Sequence, residues 1–289
     1  MSKLLEQPIP PVLFKYVGLG DFIEKLIKGE SLKFSSPLDF NDPFECSPAV
    51  SIEANKHGKN YLRSIRVPND LTGRQKRALR KEHQKNVFNR LIPSQERAGI
   101  ANLLAQTGIC SLSETELDIL MWSHYAEQHR GICIGFDTKK YFFQTAWPVK
   151  YQSNYPIVVR PQDDYETVLQ KSLLTKSLHW SYECEWRIIR RTLSPQECKY
   201  LGIKYSGTPD SQVHLDQRGP GFYEFPHEAI NQIIFGIRTP VEWQQRICQL
   251  LSSLGSNAKI YKLSRHNSKF ELIKNPVLIR KLTGKLSRS

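Results

Sequence analysis

The chain has 289 residues, 39% of them hydrophobic and 24% charged, with 41 Lys and Arg against 28 Asp and Glu and a formal net charge of +13. Length alone allows one or two domains and the composition is that of an ordinary globular protein; the chain is read as a single compact domain over residues 1–289. No apolar run approaches the ~18 residues of a membrane-spanning helix, and the opening MSKLLEQPIPPVLFKY lacks the apolar stretch and cleavage site of a secretory signal, so a cytoplasmic protein with no membrane partner is expected.

Residues 1–11 read as a Pro-punctuated arm and VLFKYV (12–17) as a strand. Asp21 is placed to cap a short helix with Phe22, Ile23, Leu26 and Ile27 on one face and Gly29 as its stop. SLKFSS (31–36) is the next strand, followed by the turn-rich FNDPFE (40–45). Residues 56–107 read as a basic helical insertion lying over a core, clearest as a helix from Thr72 to Leu91. GICSLS (108–113) and GICIGFD (131–137) are strands flanking a helix over 117–129, and WPVKY (147–151) is a weaker strand. Residues 163–178 form an amphipathic helix, YECEWRII (182–189) alternates as a strand, and 191–221 read as loop. The C-terminal unit (226–273) runs INQIIFG, a helix from Pro240 to Leu254, AKIYKL and a hairpin strand KFELI, before a basic tail at 274–289 in which simple disorder is favoured. This order predicts an α+β fold around one or two mixed central sheets.

Charge is uneven along the chain. Residues 56–100 carry twelve Lys or Arg against three acids, and 274–289 carry five against none. Clustered cations gain affinity by releasing counterions from a polyphosphate, so Arg74, Lys76, Arg77, Arg80, Lys81 and Lys85 are candidate contacts to nucleic acid or another polyanion. A solvated helix face is the equal alternative. The six cysteines (Cys46, Cys110, Cys133, Cys184, Cys198 and Cys248) form no C-x-x-C pair and read as reduced core thiols.

No metal site is predicted: H-E-x-x-H is absent, and His124 and His129 are five apart, which does not stack them on one helix face. Nor is there a G-x-S-x-G or a Walker loop, and Gly18-Leu19-Gly20 lacks the third glycine of a dinucleotide fingerprint. Three polar groups sit in apolar settings. On the strand of YECEWRII, Glu183, Glu185 and Arg187 share one face, opposite Tyr182, Cys184, Trp186 and Ile188. Such a row is either a structural ion pair or a carboxylate held at the floor of a cleft. Ser123, His124 and Tyr125 lie in one helical turn and either line a ring pocket or pack a core. In FNDPFE, Asn41 and Asp42 either pin a turn or meet a ligand. Lys15 and Tyr16 alternate on the first strand, so only one of them is expected to face the same cleft.

In order, FKY, SLKFSSPLDFNDPFE, GICSLSETELDILMWSHYAEQHRGICIGFD and WSYECEWRII resemble the bacterial domain-of-unknown-function 2971 family over residues 12–190, extending to about 263. That resemblance brings no activity. A second one, of element order, is to ADP-ribosyltransferase domains: a strand, a short helix ending in Gly and a strand; then GICSLS with its Ser-His-Tyr helix; then a late strand with a Glu. It implies NAD as substrate, Glu185 as the stabiliser of an oxocarbenium-like centre, Tyr125 and His124 at the nicotinamide, and Lys15 or Tyr16 at the ribose. The NAD-binding set would include Ser113, Ser123, Asn41, Asp42 and Arg187, the last at a phosphate. Lys15 or Tyr16 stands where that family has Arg or His. The expected function is therefore an ADP-ribosyltransferase-like enzyme of the toxin or phage-defence kind, acting on nucleic acid or protein. The alternatives are a non-enzymatic nucleic-acid- or partner-binding protein and a hydrolase or nuclease working through paired carboxylates such as Asp42 and Glu185.

Overall fold

A computed structural model of the chain describes residues 7–52, 71–78, 81, 94–191 and 219–277. In chain order the elements are β1 (Val12–Val17), α1 (Phe22–Ile27), β2 (Leu32–Phe34), β3 (Ala49–Ile52), α2 (Ser94–Ala105), β4 (Thr107–Ser113), α3 (Ile119–Tyr125) and β5 (Ile132–Asp137). There follow β6 (Trp147–Pro148), β7 (Lys150–Gln152), β8 (Ile157–Arg160), α4 (Tyr165–Leu173), β9 (Thr175–Ser177), a 3-10 turn (Leu178–Glu183) and β10 (Glu185–Arg191). The chain closes with β11 (Gly221–Tyr223), β12 (Ile230–Phe235), α5 (Val241–Ser253), β13 (Lys259–Arg265) and β14 (Leu272–Pro276). The fold is α+β.

Eight strands form one mixed sheet in the order β14-β13-β12-β5-β1-β4-β10-β6. The pairs are antiparallel except β12 with β13, which the crossover helix α5 joins in parallel. Alternation on the strands sends Leu13, Leu112, Ile134, Trp186 and Ile233 into the largest core, where α1 and α5 cover that face. On the other face, α3 lays Met121 and Trp122 over Phe14, Tyr16, Cys133 and Ile234. Further along that face, Leu104 of α2 and Leu173 of α4 pack on Ile109 and Cys46. Two apolar clusters thus leave a gap between them in front of β4 and β10.

The sheet itself is weakest at the same place. Strand β1 pairs with β5 at six positions and β4 with β10 at seven, yet β1 and β4 meet at Phe14↔Ser113 alone. Beyond that point the sheet is split. Ile109 turns both backbone groups away from β10 to Ser35, and Ser111 follows in the same alternation, so its carbonyl opens into the split. Lys15 Nζ fills that vacancy at 3.1 Å.

Several expectations are corrected. The helix predicted at 163–178 ends at Leu173, and Thr175–Ser177 form strand β9 beside β7. The helix predicted through 129 ends at Tyr125, because Glu127, Gln128 and His129 all take positive φ. The strand predicted from Tyr182 begins at Glu185; before it come a 3-10 turn and Cys184 at φ 44. Cys184 is exposed rather than a core thiol, while Cys46, Cys110, Cys133 and Cys248 are buried and form no disulfide. Asp21 occupies the cap of α1 without a side-chain capping bond. The tail assigned from 274 starts too early: Lys274–Pro276 belong to β14, with Lys274 bonded to Glu116 at 2.8 Å. Most of the predicted helix at 72–91, Arg80, Lys85, Cys198 and 278–289 lie outside the described residues.

Candidate functional site

A cavity of about 190 Å³ opens at the split between β1 and β4. Strand β1 contributes both Lys15 and Tyr16 to its wall. Their alternation predicted one only; the strand leaves its neighbour here, so a long Lys stem reaches around the freed edge. Ser111 and Ser113 come from β4, Asn41 and Glu45 from the turn-rich loop, Tyr125 from α3, and Lys176 from β9. Glu183 and Glu185 complete it. The left-handed residue Cys184 lies between them, a conformation that costs a non-glycine residue energy and recurs at functional sites.

The polar side chains form one network. Lys176 Nζ bonds Glu183 Oε2 at 2.5 Å, Glu185 Oε2 at 3.2 Å and Glu45 Oε2 at 3.3 Å. Arg187 has no exposed surface and all five of its N–H donors are used. Nε and Nη2 grip the Glu185 carboxylate at 2.8 and 2.9 Å. Nη1 donates to the Leu173 carbonyl at 2.6 Å and to Cys46 Sγ at 3.5 Å, and Nη2 also donates to Glu45. Arg187 therefore cannot hold a phosphate, as expected of it; it is committed to two carboxylates. The Glu185 backbone N–H donates to Tyr151 Oη at 2.7 Å, and Ser113 Oγ donates to the Glu183 carbonyl at 2.7 Å. Both contacts fix the backbone around the carboxyl pair.

The two carboxyls are driven apart in proton affinity. Burial alone would raise that of Glu185, but the Arg187 guanidinium and Lys176 ammonium outweigh it and hold its pKa down at about 2. For Glu183, burial is the largest influence and raises its pKa; Lys176 opposes this only in part, and the Glu185 charge adds to it. Burial also opposes the charge on Lys176, yet its three carboxylate neighbours keep the ammonium above the usual range. Three acids against two cations leave the negative charge incompletely balanced, in line with the raised proton affinity of Glu183. Tyr125 Oη donates to Glu183 Oε1 at 2.6 Å, and burial together with that bond pushes the phenol above its usual range. Glu185 is saturated by donors, whereas each Glu183 oxygen has a single partner and retains room to accept.

Lys176 is also a wall of a neighbouring cavity of about 520 Å³. The same elements divide their side chains between the two spaces. Asn41 and Glu45 face the smaller and Asp42 the larger; Tyr125 faces the smaller and His124 the larger; Glu183 faces the smaller and Tyr182 the larger. The larger space is lined by rings, with Trp180, Tyr182, Tyr155 and His124 around it. His124 Nδ1 lies 3.1 Å from Tyr182 Oη, and Asp42 accepts from Trp180 Nε1 at 2.8 Å and from Phe44 N–H at 2.9 Å. Asp42 thus pins the loop and does not share a space with Glu185, so the pair proposed for a hydrolase is not assembled. Ser123 lines neither cavity.

Residues 121–188 match the model of a family described as protein of unknown function (DUF2971). Across that segment, about a quarter of the chain, the sequence is similar to this family. The DUF2971 segment contains Tyr125, Lys176, Glu183, Glu185 and Arg187, most of the charged network, while Lys15 and Glu45 reach it from outside. Comparison with curated proteins and with solved structures gives no match. Among the described residues no helix is long and apolar enough to cross a membrane.

The sequence did not single out Glu45 and Lys176. Glu45 closes the quoted FNDPFE segment, and Lys176 is a lone cation in SLLTKSLHW. Glu45 meets Arg187 across 142 positions, a separation that carries no local pattern.

Proposed function

We propose that the paired cavities bind NAD and break its nicotinamide–ribose bond in the manner of an ADP-ribosyltransferase. The observation that carries this reading is the meeting of Lys15, Tyr16, Tyr125, Glu183 and Glu185 on one cavity, with the two carboxyls driven to opposite proton affinities. At about 190 Å³ the inner space falls below the ~300–1,000 Å³ of pockets that enclose a whole small molecule, and so suits one ring with its sugar. The ring-lined outer space of about 520 Å³ across Lys176 suits the remaining nucleotide.

In this reading Glu183, rather than Glu185, faces the reacting sugar. As the C1′–N bond breaks, its electron pair leaves with nicotinamide and positive charge develops at C1′. A carboxylate fixed beside that centre stabilises the transition state more than the ground state. The acceptor's oxygen or nitrogen then bonds C1′ and passes its proton to Glu183, whose raised affinity makes it a better base than an ordinary carboxylate. Glu185, Lys176 and Arg187 act as positioning residues. Lys15 donates to a neutral carbonyl rather than to a carboxylate, so it is the cation left for the ribose or a phosphate. Activity of the toxin or phage-defence kind, on nucleic acid or protein, would use the same site.

The test is incubation with NAD labelled in its adenylate half, with and without RNA, DNA or a protein extract, measuring free nicotinamide and transferred label. The wild type is expected to release nicotinamide, and Glu183→Gln to lose about 10²–10³-fold of that rate while melting normally. Absence of both nicotinamide release and transferred label in every condition overturns the proposal.

A further inference from the structure

The cations at the C-terminal end of the sheet play no part in the paired cavities. Beneath the β13–β14 hairpin lies a larger recess of about 1220 Å³. That exceeds the ~300–1,000 Å³ of sites enclosing one small ligand. Its floor is apolar, made by Ile119, Ile237, Leu263 and Leu272. Its rim is cationic: Arg238, Arg265 and Lys269 stand on it, and Glu271, 3.7 Å from Lys269, is the one acid among its lining residues. Arg238 and Arg265 are exposed and have no acidic partner among the described residues. Phe270, at the hairpin tip, is 100% exposed beside them.

The rim is held by backbone rather than by the charges themselves. The left-handed turn after α3 ends at His129, whose carbonyl accepts from Arg238 N–H at 3.0 Å. The hairpin is closed by His266 N–H to the Glu271 carbonyl at 2.9 Å, and Ser268 N–H donates to His266 Nδ1 at 3.1 Å. Two guanidinium groups with no acidic partner among the described residues, and the Lys269 ammonium 3.7 Å from Glu271, therefore stand on backbone held in place around an apolar hollow.

We propose that this recess binds single-stranded nucleic acid, with backbone phosphates on Arg238, Arg265 and Lys269 and bases against Phe270 and the apolar floor. Guanidinium groups match phosphate with paired donors, and an exposed ring beside them is a stacking platform open to any base. A duplex keeps its base faces inside its own stack and would leave Phe270 and the floor unused. A flat anionic membrane would touch the rim without reaching the hollow. None of its lining residues among those described comes from the basic stretch at 56–100, and the proposal is independent of the NAD reading. Helix α3 separates the two spaces: Ile119 faces the recess, and Met121 and Tyr125 face the carboxylate cavity.

Fluorescence anisotropy of a short fluorescein-labelled single-stranded RNA, and of the matching DNA, titrated with the full chain over a range of KCl, tests it. The Arg238→Gln/Arg265→Gln variant is expected to weaken binding at least about tenfold and to lower the salt slope by about 1.4, the value for two lost contacts to a single strand. Phe270→Ser is expected to weaken binding about tenfold with the slope unchanged, the signature of lost stacking. Binding that survives the double arginine change but fails on Arg74→Gln/Arg77→Gln would move the site to the basic stretch and overturn the proposal. So would equal affinity for duplex, or binding to phosphatidylserine vesicles or an acidic peptide with none to the oligonucleotides.

Discussion

Two concentrations of charge among the described residues are arranged in opposite ways. At the split in the sheet, Glu45, Glu183, Glu185, Lys176 and Arg187 are buried and paired with one another. Under the C-terminal hairpin, Arg238 and Arg265 are exposed and meet no acid among the described residues. Taking ions out of water costs several kcal/mol each, and a buried network recovers that only through complete pairing. The first group therefore fixes geometry, and Glu183 is the carboxyl in it that keeps spare acceptor capacity, as the proposed reaction requires. The second group contributes little to folding and is poised for a ligand. Stability and binding should accordingly respond to substitutions at the two places in opposite proportion.

The largest effect is expected at Arg187. Arg187→Met strands Glu45 and Glu185 without their guanidinium and leaves the Leu173 carbonyl short of a donor, which should cost about 3–5 kcal/mol in urea unfolding. Replacing Glu45 and Glu185 by Leu in the same protein should restore most of that loss, because an apolar set needs no pairing, while nicotinamide release stays lost. A single Arg187→Met change with no effect on the unfolding midpoint would break the contrast.

Acid should weaken the buried group next. Glu185 is held at about 2 against an ordinary 4.5, so folding favours its ionised form. The stabilisation it supplies is complete above about pH 4.5 and is lost as the pH falls toward 2. Each tenfold change in proton affinity is worth about 1.4 kcal/mol, so the whole is on the order of 3 kcal/mol. Glu183 has the opposite sign. Its affinity is raised, so its contribution is complete in acid and disappears as the pH climbs through its folded value. Urea midpoints measured across the acid range should fall steeply in the wild type and much less steeply in Glu185→Gln. Equal slopes would show that Glu185 does not carry the acid sensitivity.

Much of the sheet was legible because its signal is local. The alternation in VLFKYV, GICSLS and GICIGFD states which face is buried, and each segment is a strand of the central sheet. The unit from INQIIF to AKIYKL carries both periods and the Pro that caps α5. The pair Glu185 and Arg187 was read on one face correctly, since both follow the strand. What was not legible depends on distance. The split between β1 and β4 follows from strand order, not from any residue in either strand, and it brings Lys15 and Tyr16 to one wall. The turn at Cys184 overrode a regular alternation, because Ser113 and Glu114 hold the Glu183 and Cys184 carbonyls from a strand some 70 residues away. The recess under the hairpin depends on distance in the same way: Arg238 lies 27 positions before Arg265, and the cations around Phe270 form no charge run.

Within the buried group, Tyr125→Phe should be the mildest perturbation. It removes one O–H donor from a carboxylate and leaves the ring in place, so about 1.5 kcal/mol of stability is expected to be lost in thermal melts. Since the lost bond was lowering the proton affinity of Glu183, the pH profile of nicotinamide release should move upward. A loss of rate with an unmoved profile would mean that Tyr125 acts on the substrate rather than through Glu183.

The smallest effect on stability is expected where the effect on binding is largest. Arg238→Gln/Arg265→Gln removes two exposed charges that satisfy no acid among the described residues, so the unfolding free energy should change by less than about 0.5 kcal/mol. Because like charges on the rim repel, the sign of that small change should be stabilising, and it should shrink as salt is added and screens the pair. Urea unfolding at low and high KCl checks this. A loss above about 1 kcal/mol at low salt would show that these arginines are structural after all, and the division between a charge network that folds the protein and one that waits for a partner would no longer hold.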